Sequence, residues 1–159
     1  MSWEKEISEL KLRSELAEKM GGEEKVARQH EFGKLTIRER VDTFVDKSSV
    51  DKLSVDKSSF HEIGKLAGVA EYDDEGNLKA FTPSNFIFGT AEVNGRSVIV
   101  SGDDFTVRGG SADASIAGKR LQAEGLATEL QLPHIRLVDG MGGGGSVKTI
   151  ETAGRTYIP

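Results

Sequence analysis

The sequence predicts an α/β fold in which a β-hairpin feeds a sheet, with charged helices in front of it. Three observations carry that expectation. Asn94-Gly95 lies between two β-rich runs, residues 86–93 and 96–100. A type I′ turn needs positive φ at both central positions, and Asn-Gly supplies it. Residues 112–130 are rich in Ala, Leu and Glu and stop before Pro133, as a helix would. The apolar run 135–138 follows as a buried strand, then a glycine-dense turn and a segment able to open another helix. The order strand, strand, helix, strand, turn, helix is that of an α/β layer.

In chain order, residues 1–47 read as a helical arm. Trp3, Ile7, Leu10 and Leu16 have spacings that share one helix face. Gly21-Gly22 stops that helix, and a second runs from about residue 23 to 31 before Gly33. Thr36-Ile37-Arg38-Glu39 is a capping box, Thr at the N-cap and Glu three residues on, opening a third helix through Val41, Phe44 and Val45. Helices this polar are expected to pack on another subunit or domain. Residues 48–59 read as a loop expanded by repetition. Val45-Asp46-Lys47-Ser48-Ser49 recurs as Val50-Asp51-Lys52-Leu53-Ser54 and Val55-Asp56-Lys57-Ser58-Ser59. Three such short copies are too small for a solenoid. Residues 60–72 read as one extended segment, and Asp73-Asp74-Glu75-Gly76-Asn77 as a turn. Ser111 is placed to cap the helix over 112–130.

Composition excludes several classes. The 159 residues carry a net charge of −5 with both signs mixed, against a nucleic-acid-binding surface. The absence of cysteine removes disulfides, thiolate metal sites and a cysteine nucleophile. His30, His61 and His134 have no metal-ligand spacing, so no metal site is expected. Asp103-Asp104 reads as polarity at a strand end, not as an acid/base dyad, because neighbouring strand residues face opposite ways. No membrane span and no targeting segment are read, and a cytoplasmic or organelle-matrix location is expected.

The turn Asp139-Gly140-Met141-Gly142-Gly143-Gly144-Gly145 is the strongest site candidate. Without Cβ atoms, backbone N–H groups can approach a ligand closely. A following helix N-terminus favours a phosphate, carboxylate or enolate oxygen. Gly140 and Gly145 have P-loop separation, but Ser146 and Val147 displace Lys148-Thr149 by two positions. A glycine-loop nucleotide-binding protein therefore stands as a weaker alternative, and a flexible linker as the bland one.

Two stretches carry a family resemblance. Residues 21–30, Gly-Gly-Glu-Glu-Lys-Val-Ala-Arg-Gln-His, with 33–41, Gly-Lys-Leu-Thr-Ile-Arg-Glu-Arg-Val, resemble the leader of the biotin-dependent acyl-CoA carboxyltransferases. That family includes β subunits of propionyl-CoA, acetyl-CoA and methylcrotonyl-CoA carboxylases. Residues 94–100, Asn-Gly-Arg-Ser-Val-Ile-Val, with 104–111, Asp-Phe-Thr-Val-Arg-Gly-Gly-Ser, resemble its hairpin and Gly-Gly-Ser loop. The resemblance implies a crotonase-like ββα spiral, incomplete, with residues 60–159 as the first part of an N-terminal carboxyltransferase domain.

It further implies that a carboxyl group passes from carboxybiotin on a partner carrier to the enolate of an acyl-CoA, with no covalently bound cofactor in this chain. Gly142 and Gly143 would donate backbone N–H groups to the enolate, with Gly144 as an alternative donor. Val107, Arg108, Gly109, Gly110 and Ser111 would border the acyl-CoA channel. The implied partners are a biotin carboxylase or biotin carrier subunit and further carboxyltransferase subunits in a homo-oligomer. The chain departs from the family pattern in its pentapeptide copies, in a glycine turn lacking the usual arginine, and in ending at Pro159. The expectation is an N-terminal segment inactive as this isolated chain. The alternative is a non-catalytic acyl-CoA-binding or assembly module of the same fold.

Overall fold

The computed structural model of the chain describes residues 3–47, 58–111, 116–140, 151 and 154. Three helices come first: α1 (Glu4–Glu18), α2 (Glu23–Glu31) and α3 (Ile37–Phe44). Gly22, at φ 95°, turns the chain between α1 and α2. The capping box of α3 is complete. Thr36 Oγ1 accepts the Glu39 N–H at 3.3 Å, and the Glu39 carboxylate accepts the Thr36 N–H at 2.7 Å.

The hairpin forms as read. Strands β4 (Phe86–Val93) and β5 (Arg96–Asp103) are joined by Asn94 at φ 52° and Gly95 at φ 70°. Strand β1 (His61–Ile63) pairs antiparallel with β4 on its other side. Helix α4 (Ala117–Leu130) crosses from β5 to the parallel strand β6 (His134–Leu137), giving the sheet order β1-β4-β5-β6. Strands β2 (Gly68–Tyr72) and β3 (Leu78–Pro83) form a separate two-stranded sheet.

Strand periodicity assigns the two faces of the main sheet. Ile87, Ala91, Val98 and Val100 face α3 and form a core with Ile37, Val41 and Val45. Phe86 and Phe88 face the other way and pack on Ala123 of α4. A helix on each side closes the layer, and full burial of each aliphatic side chain contributes roughly 1.5–3 kcal/mol.

Several expectations change in detail. Helix α3 belongs to the core of its own chain, because Ile37 and Val41 fall on the face that meets the sheet. On α1, by contrast, Trp3, Ile7 and Leu10 are exposed, and Ala17 is the buried residue. Residues 60–72 are two strands, not one, because Gly64 at φ 66° opens a turn between them. Strand β3, absent from the sequence reading, forms because Asp73 Oδ1 accepts the N–H groups of Glu75 (3.0 Å) and Asn77 (2.7 Å) and folds β3 back on β2. Ser111 does not cap α4: the helix starts at Ala117 with Ile116 as N-cap and no side-chain cap. Val138 lies outside β6 and is exposed.

The repeat is anchored at both ends. Val45 is in the core, and the Asp46 carboxylate accepts the N–H groups of Asn94 (3.0 Å) and Gly95 (2.7 Å). Lys47 and Ser58 then form an antiparallel bridge. Ser59 Oγ accepts the Glu92 N–H at 3.1 Å. The intervening residues 48–57 lie outside the described residues.

Candidate functional site

The site is built on the loop that leaves β5. Asp103, buried at the strand end, meets Arg120 of α4 at 2.7 Å and Arg136 of β6 at 3.3 Å. Both guanidiniums also lie over the Phe86 ring, at 5.3 and 5.6 Å. Asp104 turns into a separate network. Its N–H donates to the Asn85 carbonyl at 2.8 Å, and its Oδ1 accepts the Thr106 N–H (2.9 Å) and hydroxyl (2.6 Å). Burial raises the Asp104 carboxyl above its ordinary pKa, against the lowering effect of the Thr106 bonds. Asn85 Nδ2 donates to the Ser111 carbonyl at 2.7 Å and so ties down the far end of the loop. The two neighbouring carboxylates hold a loop in place.

Between these anchors stand the residues read as bordering a channel. Val107 and Ser111 are buried, and Arg108 is exposed. Arg108, Gly109 and Gly110 adopt φ 50°, 65° and 64° in succession. Gly110 is required for space as well as conformation: a Cβ there would stand 2.7 Å from the Asp139 carbonyl oxygen and 3.1 Å from Gly140 Cα. The loop is therefore pressed against the chain where it leaves β6 and enters the glycine turn. Gly142, Gly143, Gly144 and Lys148 lie outside the described residues.

A cleft of about 600 Å³ opens beside this junction. One wall is a face of α2 and its C-cap, Lys25, Arg28, Gln29 and Phe32, at the i, i+3, i+4, i+7 spacing of a helix stripe. Lys34 continues that wall, and Phe105, Thr106, Arg108 and Gly109 form the other. Among the described residues, no carboxylate lines it. Asp139, at the entrance to the glycine turn, accepts from Gln29 Nε2 at 3.0 Å and pairs with Lys34 Nζ at 3.3 Å. The leader thus holds the glycine turn's entrance. It also clasps the loop, because the Gly21 N–H donates to Thr106 Oγ1 at 2.9 Å.

Sequence reasoning missed this cleft. The helix-stripe spacing on residues 23–31 was the available signal. Nothing local points to Lys34, Phe105 or Asp139, which meet only in the fold. Two of the three histidines make side-chain contacts. His30 Nε2 contacts both Glu39 oxygens, at 3.0 and 2.9 Å, and holds that carboxyl below its ordinary pKa, helped by the Thr36 N–H. His134 Nε2 lies 2.8 Å from Ser101 Oγ. Among the described residues no group of His, Asp or Glu could hold a metal ion, and no helix is long and apolar enough to cross a membrane.

A model of the carboxyl transferase domain family matches residues 28–157. The chain belongs to that family. The chain is 37% identical over 142 residues to the propionyl-CoA carboxylase carboxyltransferase subunit of Haloferax mediterranei, covering 89% of the chain and 26% of that protein. It is 34% identical over 124 residues to the biotin-dependent 3-methylcrotonyl-coenzyme A carboxylase beta1 subunit of Mycobacterium tuberculosis, covering 77% and 21%. Among solved structures, the transcarboxylase 12S hexamer core with bound methylmalonyl-coenzyme A aligns with a TM-score of 0.68 at 27% identity, covering 89% of the chain and 26% of its own. The crotonase-like α/β fold with preceding helices follows from this likeness. The chain spans about a quarter of the length of the first of these relatives.

Proposed function

We propose that this chain forms part of the acyl-CoA side of a biotin-dependent carboxyltransferase. The observation that carries the reading is the contact of Gly110 with Asp139 and Gly140. It joins, in space, the two segments the sequence singles out: the Val107–Ser111 loop and the glycine turn. Carboxyl transfer requires an enolate at the acyl α-carbon. Backbone N–H donors aimed at the thioester oxygen stabilise that charge, and a preorganised donor of this type is worth roughly 3–4 kcal/mol. Gly142 and Gly143 are assigned that role, with Gly144 as the alternative donor. The loop borders the acyl-CoA channel. Carboxybiotin, brought by a partner carrier, supplies the carboxyl group. Biotin-carrying and further carboxyltransferase subunits are the proposed partners. Residues 1–47, 48–59 and 60–159 are assigned as helical leader, expanded loop and domain segment. The 159-residue chain by itself is proposed to bind acyl-CoA without turnover.

Calorimetric titration of the chain with propionyl-CoA and Mg-ATP tests this. Weak binding of the thioester and none of ATP is expected. Gly143→Val, which adds a branched Cβ to the donor turn, should abolish the thioester's advantage over free CoA, and Lys148→Ala should leave it unchanged. Tight ATP binding lost in Lys148→Ala would overturn the reading, as would carboxylation of propionyl-CoA by this chain from free carboxybiotin.

A further inference from the structure

We propose that α1 carries a self-complementary docking surface, and that two copies of this chain pair through it, α1 antiparallel to α1. The inference does not depend on the acyl-CoA reading.

The surface is the first argument. Trp3, Ile7 and Leu10 recur at the i, i+4, i+7 spacing of a helix stripe and are 65%, 48% and 51% exposed. Ser14 continues the same line. The neighbouring flank of α1 is fixed to its own chain. Ala17 is buried, and its carbonyl accepts from Arg38 at 3.3 Å. Arg13 lies over the Tyr72 and Phe81 rings, each at 5.7 Å, and the Tyr72 hydroxyl donates to Glu9 at 2.9 Å. Lys65 pairs with Glu18 near the end of the helix. The stripe is therefore displayed on a helix already docked, and a surface ordered in advance loses less entropy on association.

The order of sizes and charges along α1 is the second argument, and it selects a second copy as the occupant. In an antiparallel pair centred between Ile7 and Leu10, Ile7 of each copy meets Leu10 of the other. Trp3 of each then meets Ser14 of the other, the largest side chain against the smallest on the line. Glu4 and Lys11 lie one heptad apart beside the stripe, both exposed. The same antiparallel register sets Glu4 of each copy opposite Lys11 of the other. A twofold interface repeats every such contact, so the one charge match is made twice. Opposite charges at flanking positions of this kind fix helix orientation. A parallel pair would stack Trp3 on Trp3 and Ile7 on Ile7 and lose the match of large with small.

Magnitudes make the pairing weak. Two chains of net charge −5 repel at long range, so attraction must come from the local match. Three apolar side chains from each copy bury less than a permanent interface does, although Trp3 is of the type that anchors one. A dissociation constant on the order of 100 μM is expected.

Sedimentation equilibrium of the full chain at low ionic strength tests this. The mass should rise from 17.2 kDa toward twice that value between about 10 μM and about 1 mM. Glu4→Lys and Lys11→Glu should each weaken association by about tenfold or more, because both copies of the contact turn from attraction to repulsion. Neither should move the unfolding midpoint appreciably in dilute solution. An equimolar mixture of the two variants should associate as the parent does, since every contact across that mixed pair again joins opposite charges. Ile7→Ala should weaken association in the parent and in the mixture alike. A mass that stays at 17.2 kDa throughout overturns the proposal and leaves the stripe to a different partner. So do single charge variants that associate like the parent, or a mixture no better than its components. Propionyl-CoA affinity should be the same in the parent and both charge variants, so the acyl-CoA reading and this one fail separately.

Discussion

Helices α1 and α3 are both charged, both near the N-terminus, and opposite in fate. The longer one, α1 with 15 residues, has no side-chain cap and leaves Trp3, Ile7 and Leu10 exposed. The shorter, α3 with 8, has a complete capping box and buries Ile37 and Val41 on the sheet. Length and apolar content would rank them the other way. What separates them is that the apolar positions of α3 coincide with the face over β4 and β5, while the stripe Trp3, Ile7, Leu10 points away from this chain. Helical stability in a domain comes mostly from such docking.

Truncating an aliphatic residue in each helix gives the largest expected contrast. Ile37→Ala should cost about 3 kcal/mol, on the order of 10 °C in Tm, because the α3 core loses packing it cannot refill. Ile7→Ala should change stability by no more than about 0.5 kcal/mol. Urea unfolding of the two variants measures both. Equal losses would mean that α1 is docked as firmly as α3.

The outer edge of α3 sharpens the contrast through its charges. Arg38 pairs with Glu62 of β1 at 2.8 Å and donates to the Ala17 carbonyl of α1 at 3.3 Å. Lys119 of α4 reaches the same Glu62 at 4.0 Å, with its side chain 3% exposed. Burial pushes its ammonium down to about 8, with Arg38 adding to the shift and Glu62 opposing it. In the unfolded chain Lys119 keeps its proton to about 10.4. Between those values the unfolded state binds more protons, so stability rises with pH. An increase of about 2 kcal/mol is expected from pH 7.5 to 9.5. Tyr72, whose pKa is raised by its bond to Glu9, opposes this only above that window. Lys119→Met should flatten the slope. A slope that persists in Lys119→Met would place its origin elsewhere.

Local chemistry was legible, and encounters between distant segments were not. Thr36 and Glu39 declare α3 within four residues, and Asn94-Gly95 declares the hairpin within two. The family resemblance lay in two contiguous stretches. Strand β3 escaped because its sequence, Leu-Lys-Ala-Phe-Thr-Pro, lacks clear alternation and it buries Phe81 alone. Ser111 misled because a serine before an Ala-rich run resembles an N-cap, whereas its carbonyl is bound by Asn85, 26 positions away. The cleft escaped for the same reason. Its α2 stripe was in the sequence, but the loop facing it and the Asp139 it holds depend on the leader folding back over β6.

The smallest effect is expected where the sequence looks strangest. The repeat adds residues 48–57 between Lys47 and Ser58, which already face each other across a bridge. The anchoring groups among the described residues flank that interval: Val45 in the core, Asp46 on the Asn94 and Gly95 N–H groups, and Ser59 on Glu92. Loop-closure entropy grows slowly with length, at about 0.6 kcal/mol per doubling. Replacing residues 48–57 by a two-residue Asn-Gly turn, which suits an antiparallel pair, should therefore raise stability by about 1 kcal/mol and leave CoA affinity untouched. Asp46→Ala in the same background removes the carboxylate that accepts both hairpin N–H groups and should cost more than the shortening gains. Thermal unfolding of the two variants separates the cases. A shortened chain that unfolds earlier than the parent would show that the repeat contributes contacts of its own.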